Sequence, residues 1–239
     1  MSNERGNEGD GRLLVDRRVL GLKRRLVREA TIAVSMLEAA IAALFAVDAD
    51  AAMAVRLSDD RIDHEEVEIE QECYEILALQ HPFGREFRTI TFALKVNADI
   101  ERVADHASSV AKIAAKISKL NCPVPAWPTS LVELSQRVPA MCHELLRAVL
   151  AEDSEAARRL VASDETIDQL DRRLFEEAME MMRRDRSDQS LMVAMYIHRV
   201  GRELERIGDL MANIAEDVVY LATGEIIRHA KRKPRTPQP

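Results

Sequence analysis

Glycine and proline are scarce in this sequence, at 8 residues each out of 239, and aromatic residues make up only 4%. Beside 31% charged residues and abundant Ala, Leu, Val and Ile, that scarcity disfavours a turn-rich β fold and favours long helices. The three cysteines, Cys73, Cys122 and Cys142, are odd in number and lack metal-finger or redox spacing. A disulfide framework is therefore excluded, and reduced thiols in a cytoplasmic protein are expected. No secretory signal peptide opens the chain. The most apolar run, Ile32 to Val47, is interrupted by Ser35 and Glu38 and is expected to fall short of a transmembrane segment. Positive charge is also lacking overall: the net charge of −7 argues against general nucleic-acid binding. Basic residues do cluster at Lys23, Arg24, Arg25 and Arg28 and from Arg228 to Arg235, which reads as a solvated face and a loose end. Walker loops, Gly-rich phosphate cradles and nucleophile–base arrangements are absent. So is Glu-x-x-His, the main signature of ferritin-like di-iron oxidases.

What is present is helical periodicity, and it occurs twice. In Arg199 to Gly224, apolar residues at Leu204, Ile207, Met211, Ile214, Val218 and Leu221 form one stripe, which Gly224 ends. The stretch Asn97 to Ile117 repeats the design 104 residues earlier, with Ile100, Val103, Ala107, Val110, Ala114 and Ile117 in register. Met36, Asp48, Ser58, Asp59, Ile62 and Asp63 recur 105 residues later as Met141, Asp153, Ser163, Asp164, Ile167 and Asp168. The economical reading is an all-α fold of two tandem three-helix bundles related by an internal duplication. Residues 1–11, polar and Gly-rich, are expected to be disordered, and 12–120 form the first bundle. The Pro-rich stretch 121–128 links it to the second bundle at 129–227, and 228–239 is a basic tail.

Local signals divide each bundle. Leu13 to Val47 reads as one helix, and Asp48-Ala-Asp50 as the start of a second that reaches about Leu79. His81-Pro82-Phe83-Gly84 turns the chain into the third helix, which ends near Leu120. Ser130 with Glu133 reads as a capping box for the fourth helix, in which Pro139 is expected to cause a kink or restart. Asp153 is expected to cap the fifth helix, which runs to about Arg184, and Arg186-Ser187-Asp188 leads into the sixth.

The acids within this frame carry the functional reading. Glu205, Asp209 and Asn213 are spaced four apart beside the last stripe, and Glu101 and Asp105 are their earlier counterparts. The preceding helices carry their own pairs, Asp59 with Asp63 and Asp164 with Asp168. Counted from the hairpin turns, Asp63 lies as far from Pro82 as Glu101, and Asp59 as far as Asp105; the later pairs match within a residue. Four carboxylates should therefore meet at one height in each half. Such a gathering calls for compensation. Arginines 56, 61, 102, 199, 202 and 206 could supply it, or metal ions could bridge the oxygens. All-oxygen ligands suit magnesium, manganese or iron better than sulfur-loving metals. His64 and His106 are not repeated, their counterparts being Gln169 and Leu210. Cys142 and the methionines at 179, 181, 182, 192 and 195 read as packing residues, and the Met-rich stretch could also serve a homodimer.

Glu203-Leu-Glu205-Arg-Ile-Gly-Asp209, followed by Asn213-Ile-Ala-Glu216 and Val219-Tyr220-Leu221-Ala-Thr-Gly224, closely resembles a signature of the PhoU family. Asp99-Ile-Glu101-Arg-Val-Ala-Asp105 resembles its companion, with Val103-Ala104 in place of the usual Ile-Gly and Ser109 where the later half has Asn213. The likeness covers most of residues 13–229. It implies a non-catalytic, cytoplasmic, often homodimeric negative regulator of phosphate uptake and phosphate-responsive signalling. The implied partners are a phosphate transporter ATPase subunit (PstB-like) and a sensor histidine kinase (PhoR-like). It also implies multinuclear clusters of iron, manganese, magnesium or zinc at the Glu-x-x-x-Asp motifs. Two other readings stay open: a carboxylate-metal helical enzyme such as an oxidase or phosphoesterase, and a metal-free bundle whose acids pair with arginine.

Overall fold

Long apolar stripes with few interruptions produce long helices, and the computed structural model shows seven of them among the described residues, 4–120 and 123–227, with side chains described from Val15 onward. They are α1 (Glu4–Ala46), α2 (Ala49–Leu57), α3 (Asp59–Gln80), α4 (Arg85–Ser118), α5 (Thr129–Ala151), α6 (Ser154–Arg184) and α7 (Asp188–Thr223). No strand occurs among the described residues. In the first half α1 and α3 pack on α4; in the second, α5 and α6 pack on α7. The two signature helices, α4 and α7, also pack on each other, so the halves join along the helices that carry the repeated acids.

The punctuation residues act where the sequence places them. Asp48 accepts hydrogen bonds from Asp50 N and Ala51 N, and Asp153 accepts from Glu155 N and Ala156 N. His81 and Gly84 take positive φ between α3 and α4, and Gly224 closes α7 at φ 80°. In the connector, Trp127 meets Phe45 edge-on at 5.2 Å, pinning the chain to the end of α1. Asn121, Cys122 and the basic tail from Arg228 lie outside the described residues.

Four local expectations are corrected. The second helix of the first half is interrupted at Ser58, whose N–H bonds Val55 O while its hydroxyl donates to Ala54 O at 3.2 Å. A short hydroxyl side chain that bonds its own preceding turn competes with the regular ladder. Ser130 does not form a capping box. Helix α5 already begins at Thr129, and both the N–H and the hydroxyl of Ser130 donate to the Glu177 carboxylate of α6, each at 3.1 Å. Glu133 faces Arg137 and Arg173 instead. Pro139 does not restart the helix, since α5 runs through it unbroken. Finally, α1 begins at Glu4, inside the opening stretch expected to be disordered.

Helix α1 also qualifies, over Val15–Ala46, as long and apolar enough to cross a membrane by length and composition, unlike the shorter run judged from sequence. Much of its apolar surface is used inside the bundle. Leu22, Leu26, Ala33, Leu37, Ala40 and Leu44 are all buried in the common core. Buried with them are Cys73 and Cys142, whose thiols burial pushes up to about 12. Neither thiol is expected to be alkylated in the native protein at pH 8, and both should react once it is unfolded. Peptide mapping by mass spectrometry after a pulse of iodoacetamide checks this.

Candidate metal centre

In the second half, close approach of α6 and α7 sets the geometry. Gly201 and Gly208, seven apart on α7, share the face that meets α6. A Cβ on Gly201 would overlap the Leu174 side chain, and one on Gly208 would lie 3.0 Å from Ile167 Cγ2. Ile167 stands between Asp164 and Asp168, so this contact brings Asp209 to both. Asp164, Asp168 and Asp209 each place a carboxylate oxygen within 4.8 Å of the others. Burial, then the charge of Asp168, raises the Asp209 pKa. Burial, then the charge of Asp209, does the same at Glu205. Three oxygens from two helices at this spacing suit a hard cation.

Glu205 sits at a neighbouring level with its own compensation. Arg202 Nη1 donates to Asp171 Oδ2 at 3.0 Å and approaches Glu205 Oε1 at 3.1 Å. Metal-like and arginine-paired solutions thus lie side by side on one helix. Asn213 is exposed and lines the cleft between the halves together with Asp209.

The first half assembles the corresponding acids without the same convergence. Ala104 stands where the later half has Gly208. Among the described residues only Asp164, Asp168 and Asp209 bring three acid oxygens within 4.8 Å. Asp59, Asp63, Glu101 and Asp105 still lie within one another's electrostatic reach. Burial, then the charges of Asp105 and Asp63, raises the Glu101 pKa, and burial above all raises that of Asp59.

Two features escaped sequence reasoning. Glu29 of α1 is 1% exposed, on the core-facing stripe, within electrostatic reach of Glu65, Glu66 and Glu101. A lone charge among Leu22, Leu26 and Ala33 was the available signal. His106, set aside because it is not repeated, meets Glu203 of the other half at 2.7 Å, with Glu203 9% exposed. That pair forms one wall of a cleft of roughly 600 Å³ between α4 and α7. Its lining holds both copies of three repeated positions: Arg102 with Arg206, Asp105 with Asp209 and Ser109 with Asn213.

The acids make a pH prediction. Burial, helped by Glu65 and Glu66, raises Glu29 from 4.5 to about 8, and Asp59, Glu66, Glu101, Glu205 and Asp209 are also raised. A carboxyl that holds its proton more tightly when folded stabilises fully below its unfolded pKa, and that stability is lost as pH rises through the folded value. Glu65, Glu152 and Glu203 are lowered and act oppositely, losing their contribution in acid. In chelator, the melting temperature is therefore expected to fall from about pH 5 to about pH 8. A divalent ion should restore more of it at pH 8 than at pH 5.5. Calorimetry across that range reads both effects.

The PhoU domain family matches residues 26–114 and 131–218, one copy in each half. A phosphate-specific transport system accessory protein PhoU homolog from Deinococcus radiodurans is 32% identical over 189 residues, covering 79% of this chain and 87% of the relative. The homolog from Pseudomonas aeruginosa is 34% identical over 193 residues, covering 80% and 77%. The crystal structure of PhoU from Pseudomonas aeruginosa superposes with a TM-score of 0.83 at 29% identity, over 88% of this chain and 99% of that one. The phosphate transport system regulatory protein PhoU from Streptococcus pneumoniae gives 0.80 at 25% identity, over 89% and 98%.

Proposed function

We propose that this chain, which belongs to the PhoU family, is a non-catalytic accessory protein of a phosphate transport system. It works in the cytoplasm as a negative regulator of phosphate uptake and phosphate-responsive signalling. Its partners in this reading are the transporter's ATPase subunit and a sensor histidine kinase. The observation that carries the proposal is the placing of both signature helices, α4 and α7, back to back around one cleft.

In the same reading Asp164, Asp168 and Asp209 hold a divalent or trivalent metal ion, with Glu205 beside them. The donor set is all oxygen, and the charge of Asp168 lies close enough to oppose the ionisation of Asp209. A bound ion would supply positive charge that fixes α6 against α7. The chain's own part is to hold the carboxylates at that spacing, through Gly208, and to keep Arg202 on Asp171 and Glu205. Asp59, Asp63, Glu101 and Asp105 are the corresponding first-half acids and, converging less closely, hold an ion more weakly in this reading. The exposed side chains of Phe175, Met179, Met192 and Met195 on α6 and α7 offer an apolar surface for a homodimer.

The test is genetic and biochemical. Deletion of the gene is expected to leave phosphate-starvation transcription switched on in phosphate-replete cells, and tagged protein from those cells should retain the transporter ATPase. Unchanged phosphate-responsive transcription after deletion would refute the regulatory reading.

A further inference from the structure

The helices that join the halves cross antiparallel, in a register that the internal repeat makes symmetric. His106 of α4 meets Glu203 of α7 at 2.7 Å, and Lys95 meets Asp217 at 3.4 Å, so advance along α4 is retreat along α7. Shifting the His106–Glu203 pair by the 104-residue repeat gives Asp99 opposite Leu210. Arg102 and Arg206 lie midway between these two pairs, each on its own helix, and both line the cleft of roughly 600 Å³. Two copies of one arginine therefore flank the axis that relates the halves.

Little in the cleft neutralises them. Both arginines are exposed, and Arg102 only approaches Asp99, at 3.7 Å. Arg206 lies within electrostatic reach of Glu203 and Asp209 but makes no ion pair among the described residues. Glu203 is committed to His106, at 2.7 Å, and faces Arg199 at 3.7 Å. Asp209 belongs to the acid group assigned above to a metal ion, whose charge would cancel it, which leaves Asp105 against two arginines. Like charges on either side of an axis oppose each other unless an anion joins them. Further donors stand two turns along the same faces, Ser109 seven residues after Arg102 and Asn213 seven after Arg206.

We propose that the cleft binds an inorganic phosphate ion between Arg102 and Arg206. Guanidinium forks suit oxyanions, and a tetrahedral ion offers oxygens to both sides at once, which a planar carboxylate does not. Asp105 adds selectivity. Phosphate at neutral pH carries a proton to donate to this carboxylate, whereas sulfate has none and meets an uncompensated negative charge. Leu210 is the only apolar side chain among the described lining residues, so a nucleobase finds no stacking surface. Such a site gives the accessory protein proposed above its own means of sensing phosphate, and it rests on that proposal for the second-half ion that serves as counter-charge.

Equilibrium dialysis of radiolabelled inorganic phosphate against the full chain tests this, in Mg²⁺ and after treatment with chelator. In Mg²⁺ the unmodified protein should retain one phosphate per chain, and excess sulfate should not displace it. Arg102→Gln and Arg206→Gln should each bind phosphate about tenfold or more weakly, as loss of a charged hydrogen bond does. Arg183→Gln, near the end of α6 and paired with Glu180, should bind normally. Both cleft arginines are exposed, so the melting temperatures of their variants should match that of the unmodified protein. Equal binding by all four chains, displacement by sulfate, or no binding in either solution overturns the proposal. A chain carrying Asp168→Asn and Asp209→Asn separates it from the metal reading. If that chain loses phosphate while both arginine variants keep it, the anion sits on the ion alone and only the metal reading survives. If the arginine variants lose phosphate and removal of metal changes nothing, the arginine site stands without an ion.

Discussion

Replacing Gly208 with valine is expected to lower stability by about 1–3 kcal/mol, as overpacking of a close helix contact does, and to abolish metal binding in the second half. A single Cβ at this position would already stand 3.0 Å from Ile167 Cγ2, and Ile167 is 3% exposed. Two further methyl groups must push α6 and α7 apart. Ile167 lies between Asp164 and Asp168, so the separation falls directly on the oxygens that meet Asp209. Gly208→Ala gives the finer test. Alanine gains roughly 1 kcal/mol of helix propensity over glycine, which offsets the tighter contact. Stability should change little while metal affinity drops. The first half is the natural precedent, since it has Ala104 in this place and, among the described residues, lacks a comparable cluster. Calorimetry with and without Mn²⁺ measures both effects, and a valine variant with normal melting and normal metal response would show that the contact does not set the site.

Asp168→Asn combined with Asp209→Asn is expected to move stability in opposite directions according to the solution. In chelator the double variant should melt higher than the unmodified protein, because opposed partly buried charges have been removed. With metal present the order should reverse. An ion at a hundred times its dissociation constant stabilises by about 2.7 kcal/mol, several degrees in a chain of this size, and the double variant forfeits that increment. Arg202 and its partners remain intact in this variant, so loss of the increment reports on the acid cluster and not on the neighbouring arginine pairing. A double variant that melts like the unmodified chain in both solutions would favour a surface of merely solvated acids.

Much of this arrangement was legible in the residues because it is repeated. The shift of 104–105 positions exposed the duplication, and the Pro82, Asp153 and Gly224 signals located turns and caps that depend on local chemistry alone. Counting from the hairpins put four acids at one height in each half; in the second half Asp164, Asp168 and Asp209 lie within 4.8 Å of one another. It could not show that Glu205 leans toward Arg202 and Asp171, because that choice is made by side-chain reach across two helices. Ser130 was misread for a similar reason. Its local partner Glu133 was outcompeted by Glu177, 47 residues away. Glu29 and the His106–Glu203 pair were invisible to the repeat itself, since each exists in only one half or spans the two.

The account depends most on acids from α6 and α7 sharing a metal ion, and elemental analysis of the purified, dialysed protein tests that most directly. The unmodified chain is predicted to retain bound metal, with less in a variant carrying Asp164→Asn, Asp168→Asn and Asp209→Asn. A metal-free unmodified chain whose melting is indifferent to added ions and to chelator would contradict it.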